Sequence, residues 1–365
     1  MRPMGKGPSG IVVALSGGVD SALAAALLKA RGWEVFGIHL RLPAPGAETE
    51  SRARSVRQIA RHLDIALDVI DVQKAFEQII IDPFVQSYLN GLTPNPCVRC
   101  NARVKFEYMR RFAEQKGIPF LGTGHYARLR KQAEDETIHL LRGLDPKKDQ
   151  SYFLHRLPRD ILERTVFPLG HMTKAAVKKM AAETDLPCEP DMESQEICFI
   201  PDMDYRHFVQ QRKGRVVEQA GLIKDTQGKV LGEHNGIYHY TIGQRHGLKI
   251  ASSRPYYVRK IDPKTHEVIV GRREEIYTTI VKATGFHWIG RPLSGQIRGI
   301  WAQIRYRHTP AQGVLEVLSS QDVRFTFHTP QWAVTPGQAL VCYQGDRVIG
   351  GGWIAGSSAT AEPMV

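Results

Sequence analysis

From Ile11 to about residue 125 the chain alternates short apolar runs with stretches whose apolar positions recur every three or four residues. "IVVAL", "EVFGIHL", "ALDVIDV" and "IPFLGTGH" are the runs. Between them lie an alanine- and leucine-rich segment ending at "ARG", then "SRARSVRQIARHLD", "KAFEQIIIDPFVQSYL" and "RVKFEYMRRFAEQKG". Apolar runs separated by amphipathic helices predict a parallel sheet covered on both faces. "YARLRKQAEDETIHLLRGL" breaks that rhythm and predicts a hairpin, and "TKAAVKKMAAETD" returns to helical spacing. After about residue 210 the period changes to two, and "GLIKDTQGKVLG" and "YYVRKIDPKTHEVIVG" read as hairpins around turn clusters. From about residue 280 the alternation is continuous through "IRGIWAQIRYR", "GVLEVL", "VRFTFH" and "QALVCYQGDRVIGGGWI", which predicts a small barrel. The expected fold is α/β with a parallel sheet, followed by a small mostly β module and a C-terminal β-barrel.

Composition narrows this only slightly. With 365 residues, 42% of them hydrophobic and 24% charged, the chain can bury sizeable cores in two or three domains. "MRPMGKGPSG" carries no apolar signal region, and no apolar run approaches the ~20 residues of a membrane span. The expectation is a cytoplasmic protein with no membrane partner. A net charge of +12 favours a polyanionic partner, because clustered Lys and Arg release counterions from phosphates. Five cysteines in so long a chain do not make a secreted disulfide scaffold; they point to buried, catalytic or metal-bound thiols.

The candidate chemistry begins in "VVALSGGVDSALAAALL", residues 12–28. A strand runs into Gly17 and Gly18, whose free N–H groups can form an anion nest, and a helix follows. Ser16 and Ser21 offer hydroxyls to a phosphate, while Asp20 suits either Mg²⁺ or an orienting role. The loop lacks the Gly-Lys-Ser/Thr ending of a Walker A loop, so transfer of a γ-phosphoryl group is disfavoured. Attack at the α-phosphate with pyrophosphate leaving fits better. A second constellation is "TPNPCVRCNARVKFEY". Pro94 and Pro96 stiffen an extended entry, and a helix beginning near Asn101 would put Cys100 at its N-terminus. There the helix dipole, with Arg99 and Arg103, would lower the thiol pKa towards neutrality. Cys198 lies a hundred residues on, in "ESQEICFIP". Cys188 and Cys342 read as buried structural thiols, and the "KKMAAE" run as a solvated helix face.

"SGGVDS" after a strand resembles the PP-loop of the ATP-pyrophosphatase superfamily, the adenine nucleotide alpha-hydrolase-like fold. With it, "TPNPxxxCN…KF", "GTGHYAR", "KDQSYFL", "ESQEICF", "YTIGQRHGL" and "RYRH" follow the order seen in the tRNA-specific 2-thiouridylase family, from residue 11 to about 354. The resemblance implies a PP-loop catalytic domain over 1–205, a central tRNA-binding domain over 206–278 and a barrel over 279–365. It implies that ATP, with Mg²⁺, adenylates the C2 oxygen of a wobble uridine, which a persulfide sulfur then replaces. Ala14, Leu15, Ser16, Gly17, Gly18, Val19, Asp20 and Ser21, with Leu40 and Gly124, would bind ATP. Asn95, Pro96 and Cys97 would meet the target base. Cys100 matches the nucleophile and Cys198 the persulfide carrier. His125, Lys148, Asp149, Gln150, Arg305, Tyr306 and Gln344 fall where the family touches tRNA. A cysteine desulfurase or sulfur-relay protein would supply the sulfur.

Many members of the family carry aspartate where this chain has Cys97, which here makes Cys-x-x-Cys with Cys100. Two chemistries stay open at this point. Cys100 and Cys198 pass a persulfide sulfur and close a disulfide, or Cys97, Cys100 and Cys198 hold an iron–sulfur cluster with one open iron site. Outside this family, an amide-forming PP-loop synthetase acting on a small molecule and a tRNA-binding module without catalysis are the competing readings.

Overall fold

The computed structural model describes residues 9–43, 46–132, 137–188, 197–200, 204–212 and 220–355. Their backbone divides into two compact units, one of Met1–Ile80, Cys97–Pro201 and Asp346–Val348, the other of Ile81–Pro96, Asp202–Gly345 and Ile349–Val365.

In the first unit β1 (Gly10–Ala14), β2 (Glu34–Arg41), β3 (Ala66–Asp71), β4 (Phe120–Gly122) and β7 (Thr165–Val166) form a parallel sheet in the order β3-β2-β1-β4-β7. Order reverses on either side of β1, and ligands of such open sheets collect outside the carboxyl ends of the strands at that point. The hairpin β5 (Ala127–Lys131) and β6 (Ile138–Arg142) is antiparallel, as the broken periodicity predicts. Helix α1 (Val19–Ala30) buries Val19, Ala22, Leu23, Ala24, Ala25 and Leu28. It joins Ile11 and Val13 in one apolar cluster with Val56 and Ile59 from the helix Gly46–His62. Burying each such large side chain is worth ~1.5–3 kcal/mol, which anchors the loop before α1 on a rigid base.

In the second unit β8 (Gly221–Lys224), β9 (Val230–His234), β10 (Tyr257–Asp262) and β11 (Glu267–Gly271) make a small sheet in the order β10-β11-β8-β9. Both predicted hairpins are present, and β8 and β11 pair in parallel between them. Strands β12 (Tyr277–Trp288), β13 (Gln296–Gln303), β14 (Ala311–Val317), β15 (Val323–Trp332), β16 (Ala339–Gln344) and β17 (Arg347–Ile354) follow. Their order is β12-β15-β14-β13-β16-β17, and β12 pairs back onto β17 to close the barrel. Its interior is filled by Val281, Phe286, Ile300, Leu315, Phe325, Leu340 and Cys342, the inward half of the alternating pattern.

Candidate active site

The glycine loop sits at the carboxyl end of β1. Gly17 has φ +91°, a left-handed conformation that disfavours any side chain. The Ser21 hydroxyl donates to the Gly18 carbonyl oxygen at 2.9 Å and accepts the Ser16 N–H at 3.1 Å. The hydroxyl expected to meet phosphate therefore also holds the loop's curvature. Ala14 and Leu15 lead in, with the Leu15 carbonyl 2.8 Å from His39 Nδ1, and Leu40 stands half-buried near the end of β2. Gly124, just past β4, lies against the loop itself. A Cβ there would meet the Asp20 carbonyl carbon and oxygen at 2.8 Å, so only glycine permits the approach. A glycine-lined loop at a helix start fits the phosphates of ATP.

Asp20 does not stand alone. The Lys174 ammonium donates to both of its carboxylate oxygens at 2.8 Å, and the Tyr126 hydroxyl donates to Oδ1 at 2.7 Å. Lys174 opens the helix Lys174–Glu183, whose cap is Thr173, accepting the Ala176 N–H at 3.2 Å. Neither Lys174 nor Tyr126 was singled out by sequence; the only signal was that "MTK" is a cap followed by a lysine, and "GTGHYAR" a motif.

The thiols form the second cluster. Cys97, Cys100 and Cys198 lie within electrostatic reach of one another and of the Lys105 ammonium. All five cysteines are free thiols. The expected start of the helix near Asn101 is corrected here. A proline that fits a first turn starts the helix at Pro96, and Pro96–Cys100 runs on through a π-turn, Asn101–Lys105, into Phe106–Gln115. Cys100 is thus inside a helix rather than at its N-terminus, and its thiol is not lowered. Burial pushes it up to about 12, against the pull of Lys105 and a hydrogen bond from the Lys105 backbone N–H. Burial likewise pushes Cys97 up to about 11. Burial opposes the charge of Lys105, yet the Cys100, Cys198 and Cys97 sulfurs raise its pKa overall. Lys105 is the residue that sequence reasoning quoted but did not assign. π-Turns concentrate at functional sites, and this one follows directly on Cys100.

Among the described residues, no group of three or more His, Cys, Asp or Glu side chains is spaced to hold a metal ion.

The segment Thr123–Tyr126 connects the two clusters. Gly124 packs on Asp20, Tyr126 bonds Asp20, and His125 between them feels the Lys105 charge. Burial, then Lys105, pushes His125 down to about 3, so its ring is neutral, with Nδ1 2.9 Å from Thr123 Oγ1.

The remaining expected tRNA-contact residues divide. Asp149 is buried and its carboxylate accepts from the Arg142 guanidinium at 3.1 Å, from the Gly143 and Ser151 N–H groups at 3.0 Å, and from the Ser151 hydroxyl. Gln150 Oε1 accepts the Tyr126 N–H at 3.0 Å. Gln150 braces the Tyr126 segment and Asp149 the Arg142–Gly143 stretch, whereas Lys148 is half-exposed. Asn95 is half-buried and Pro96 buried. In the barrel, Arg305 donates to the Trp332 carbonyl at 3.1 Å, Tyr306 is half-buried, and Gln344 is exposed at the end of β16. Cys342 is fully buried in the barrel, as expected, and Cys188 packs half-buried against the α1 core. Glu193–Glu196 of the "ESQE" motif lie outside the described residues.

Three family models match in chain order: tRNA methyl transferase HUP domain over 9–202, tRNA methyl transferase PRC-barrel domain over 206–272, and aminomethyltransferase beta-barrel domain over 278–354. The tRNA-specific 2-thiouridylase MnmA of Geobacter metallireducens is 45% identical over 356 residues, covering 94% of this chain and 96% of that protein. The chain belongs to the tRNA-specific 2-thiouridylase family. The thiouridylase of Acidithiobacillus ferrooxidans is 42% identical over 95% of this chain and 98% of its own length, and that of Carboxydothermus hydrogenoformans 40% over 94% and 97%. No helix among the described residues is long and apolar enough to cross a membrane.

Proposed function

We propose that this chain is an ATP-dependent tRNA 2-thiouridylase. The observation that carries the reading is the Thr123–Tyr126 segment, which touches the phosphate loop through Gly124 and Tyr126 and neighbours the Lys105–thiol cluster through His125. Activation and sulfur transfer thereby share one stretch of backbone. The thiols favour sulfur transfer over the methyl transfer in the family models' descriptions.

A uridine C2 carbonyl is a weak electrophile. Its O2 attacks the α-phosphorus of ATP, pyrophosphate leaves with the electron pair of the broken P–O bond, and the N3 proton is released to solvent. The chain binds ATP through Ala14–Ser21, Leu40 and Gly124. Bound with the triphosphate, Mg²⁺ would neutralise phosphate charge, while the Asp20 carboxylate is engaged by Lys174 and Tyr126. The persulfide of Cys198, loaded by a sulfur-donor protein, attacks C2 and displaces AMP. The Cys100 thiolate then attacks the Cys198 sulfur, the S–S bond to the nucleobase sulfur breaks, and 2-thiouridine and a Cys100–Cys198 disulfide result. A cellular thiol reductant returns the pair to thiols. Lys105 stabilises the thiolate and persulfide anions. Asn95, Pro96 and Cys97 border the base, while His125, Lys148, Arg305, Tyr306 and Gln344 contact tRNA. The chain divides at 1–205, 206–278 and 279–365, and it acts in the cytoplasm.

Incubation with ATP, unmodified tRNA and a sulfide source tests this. Pyrophosphate release that requires tRNA, with 2-thiouridine in the nuclease digest, is the expected result. Pyrophosphate release that ignores tRNA but responds to small amines would reassign the chain to amide synthesis.

A further inference from the structure

Sulfur passage between Cys198 and Cys100 makes no use of Cys97, the other half of the Cys-x-x-Cys pair. We propose that Cys97 is a resolving thiol. It attacks Cys100 in the product disulfide, frees Cys198 for its next sulfur, and leaves a Cys97–Cys100 disulfide that a cellular dithiol reduces. This rests on the sulfur-transfer reading above.

Cys97 and Cys100 stand three residues apart in the helix Pro96–Cys100, so their side chains share a face. At that spacing Cβ atoms lie about 5–6 Å apart and a disulfide needs about 3.5–4.5 Å, so the turn must tighten by about 1–2 Å. The regular stretch that must give is short. It begins at Pro96, which has no N–H to lose, and passes into the π-turn at Asn101. A Cys-x-x-Cys pair on one helical turn is the arrangement of disulfide oxidoreductases.

The third sulfur is within reach of both. Cys198 acts on the charge of Cys97 as well as on that of Cys100, and the Lys105 ammonium acts on all three. No disulfide already commits any of them. Exposure differs within the cluster in the direction the step needs. Cys100 is only 5% exposed, while Cys97 and Cys198 are half-buried. A reductant from solvent is kept from the Cys100 sulfur, and one that attacked Cys198 would hold the carrier in a mixed disulfide. Cys97, already inside the cluster, meets neither obstacle.

The exchange balances. The Cys97 thiol gives its proton to solvent and its sulfur bonds Cys100 Sγ. The Cys100–Cys198 bond breaks, and Cys198 leaves with that electron pair as a thiolate. The dithiol then supplies two electrons and two protons, becomes a disulfide itself, and returns Cys97 and Cys100 to thiols. Charge sets the order of events. Burial raises the Cys97 pKa, the Lys105 charge opposes it, and a Cys198 anion adds to it. Once Cys198 is bonded to Cys100 that repulsion is gone, so Cys97 ionises more readily after the sulfur has been delivered.

Mapping the disulfides of the full chain after one round of transfer tests the proposal. Chain loaded with a Cys198 persulfide by a cysteine desulfurase is given ATP and unmodified tRNA without reductant. It is then quenched in acid, alkylated and digested for mass spectrometry. The expected wild-type products are 2-thiouridine, a Cys97–Cys100 disulfide and alkylated Cys198. Cys97→Ser should lose that linkage and hold Cys100–Cys198 instead, with Cys198 neither alkylated nor reloaded by the desulfurase. A wild-type digest without the Cys97–Cys100 linkage would overturn the proposal, whether Cys100–Cys198 persists or iron holds all three thiols closed to alkylation. Should Cys97→Ser not fold, the wild-type digest alone decides. If the wild-type chain yields neither pyrophosphate nor 2-thiouridine, the enzyme reading itself falls and the proposal with it, a result distinct from the others.

Discussion

The phosphate loop and the thiol cluster belong to the same compact unit, yet they hold their reactive groups in opposite states. At the loop the charges are present and paired. Asp20 is met by an ammonium and a phenol hydroxyl at hydrogen-bond distance, and part of its side chain stays open to solvent. At the thiols burial wins. Cys100 and Cys97 are pushed up to about 12 and about 11, so at neutral pH almost all of each is a protonated, weakly nucleophilic thiol. The first site is ready for an anion before one arrives; the second keeps its nucleophile quiet. The difference suits the order of the chemistry, since a sulfur nucleophile that ionised before activation would be exposed to oxidants and to wrong electrophiles.

The sharpest way to break the contrast is to remove one group from each side. Cys100→Ser should abolish 2-thiouridine while tRNA-dependent pyrophosphate release persists, whereas Asp20→Ala should abolish both. Parallel assays of pyrophosphate and of nucleosides read this directly. If Cys100→Ser also stops pyrophosphate release, the two sites are not separate in function.

Lys105 tests why the thiols are quiet. Because Cys100 is raised to about 12, its alkylation by iodoacetamide should climb about tenfold per pH unit from pH 7 to 11 and show no plateau near pH 8.5. Lys105 pulls that value down, so Lys105→Met should raise it further, slow alkylation at every pH in that range, and reduce sulfur transfer. Faster alkylation in the variant would mean that Lys105 shields the thiol rather than stabilising its anion. Mass spectrometry of the Cys100 peptide gives the rates.

Cys97→Asp should have a smaller effect. It restores the residue that many relatives carry, and sulfur passage between Cys198 and Cys100 needs no third thiol. Near-complete loss of thiolation, accompanied by loss of protein-bound iron, would favour a cluster held by the three thiols over the persulfide route. The smallest expected effect is in the barrel. Arg305→Ala should lower tRNA affinity modestly and flatten its salt dependence by about one unit of slope. An unchanged slope would mean that the guanidinium serves only the Trp332 carbonyl it now bonds.

The fold was largely legible because its elements are locally encoded. Alternation of period two marks both hairpins of the small sheet and the strands of the barrel, and the strand–glycine–helix pattern marks the loop. A barrel was expected, but not which strands close it, since the β12–β17 pairing across some 70 residues leaves no local trace. Nor was the position of Cys100 within its helix. The proline at Pro96 was read as stiffening an extended entry, although proline is equally suited to a helix's first residue. Asp149 and Gln150 show the same limit. Their motif is conspicuous, but Gln150 spends its amide oxygen on the Tyr126 N–H, and Asp149 its carboxylate on Arg142, Gly143 and Ser151.

By itself, then, the order of residues determined what lies near in sequence: the glycine turn, the paired cysteines of "CVRC", the amphipathic faces and the seven ordered motifs. Only tertiary structure decided which distant charges answer them. Lys174 reaches Asp20, Lys105 and Cys198 gather around Cys100, and His125 feels the Lys105 charge, because tertiary packing brings these distant segments together. The pKa values follow from that packing too. A thiol's ionisation depends on how much water and which charges surround it, and no stretch of neighbouring residues specifies either.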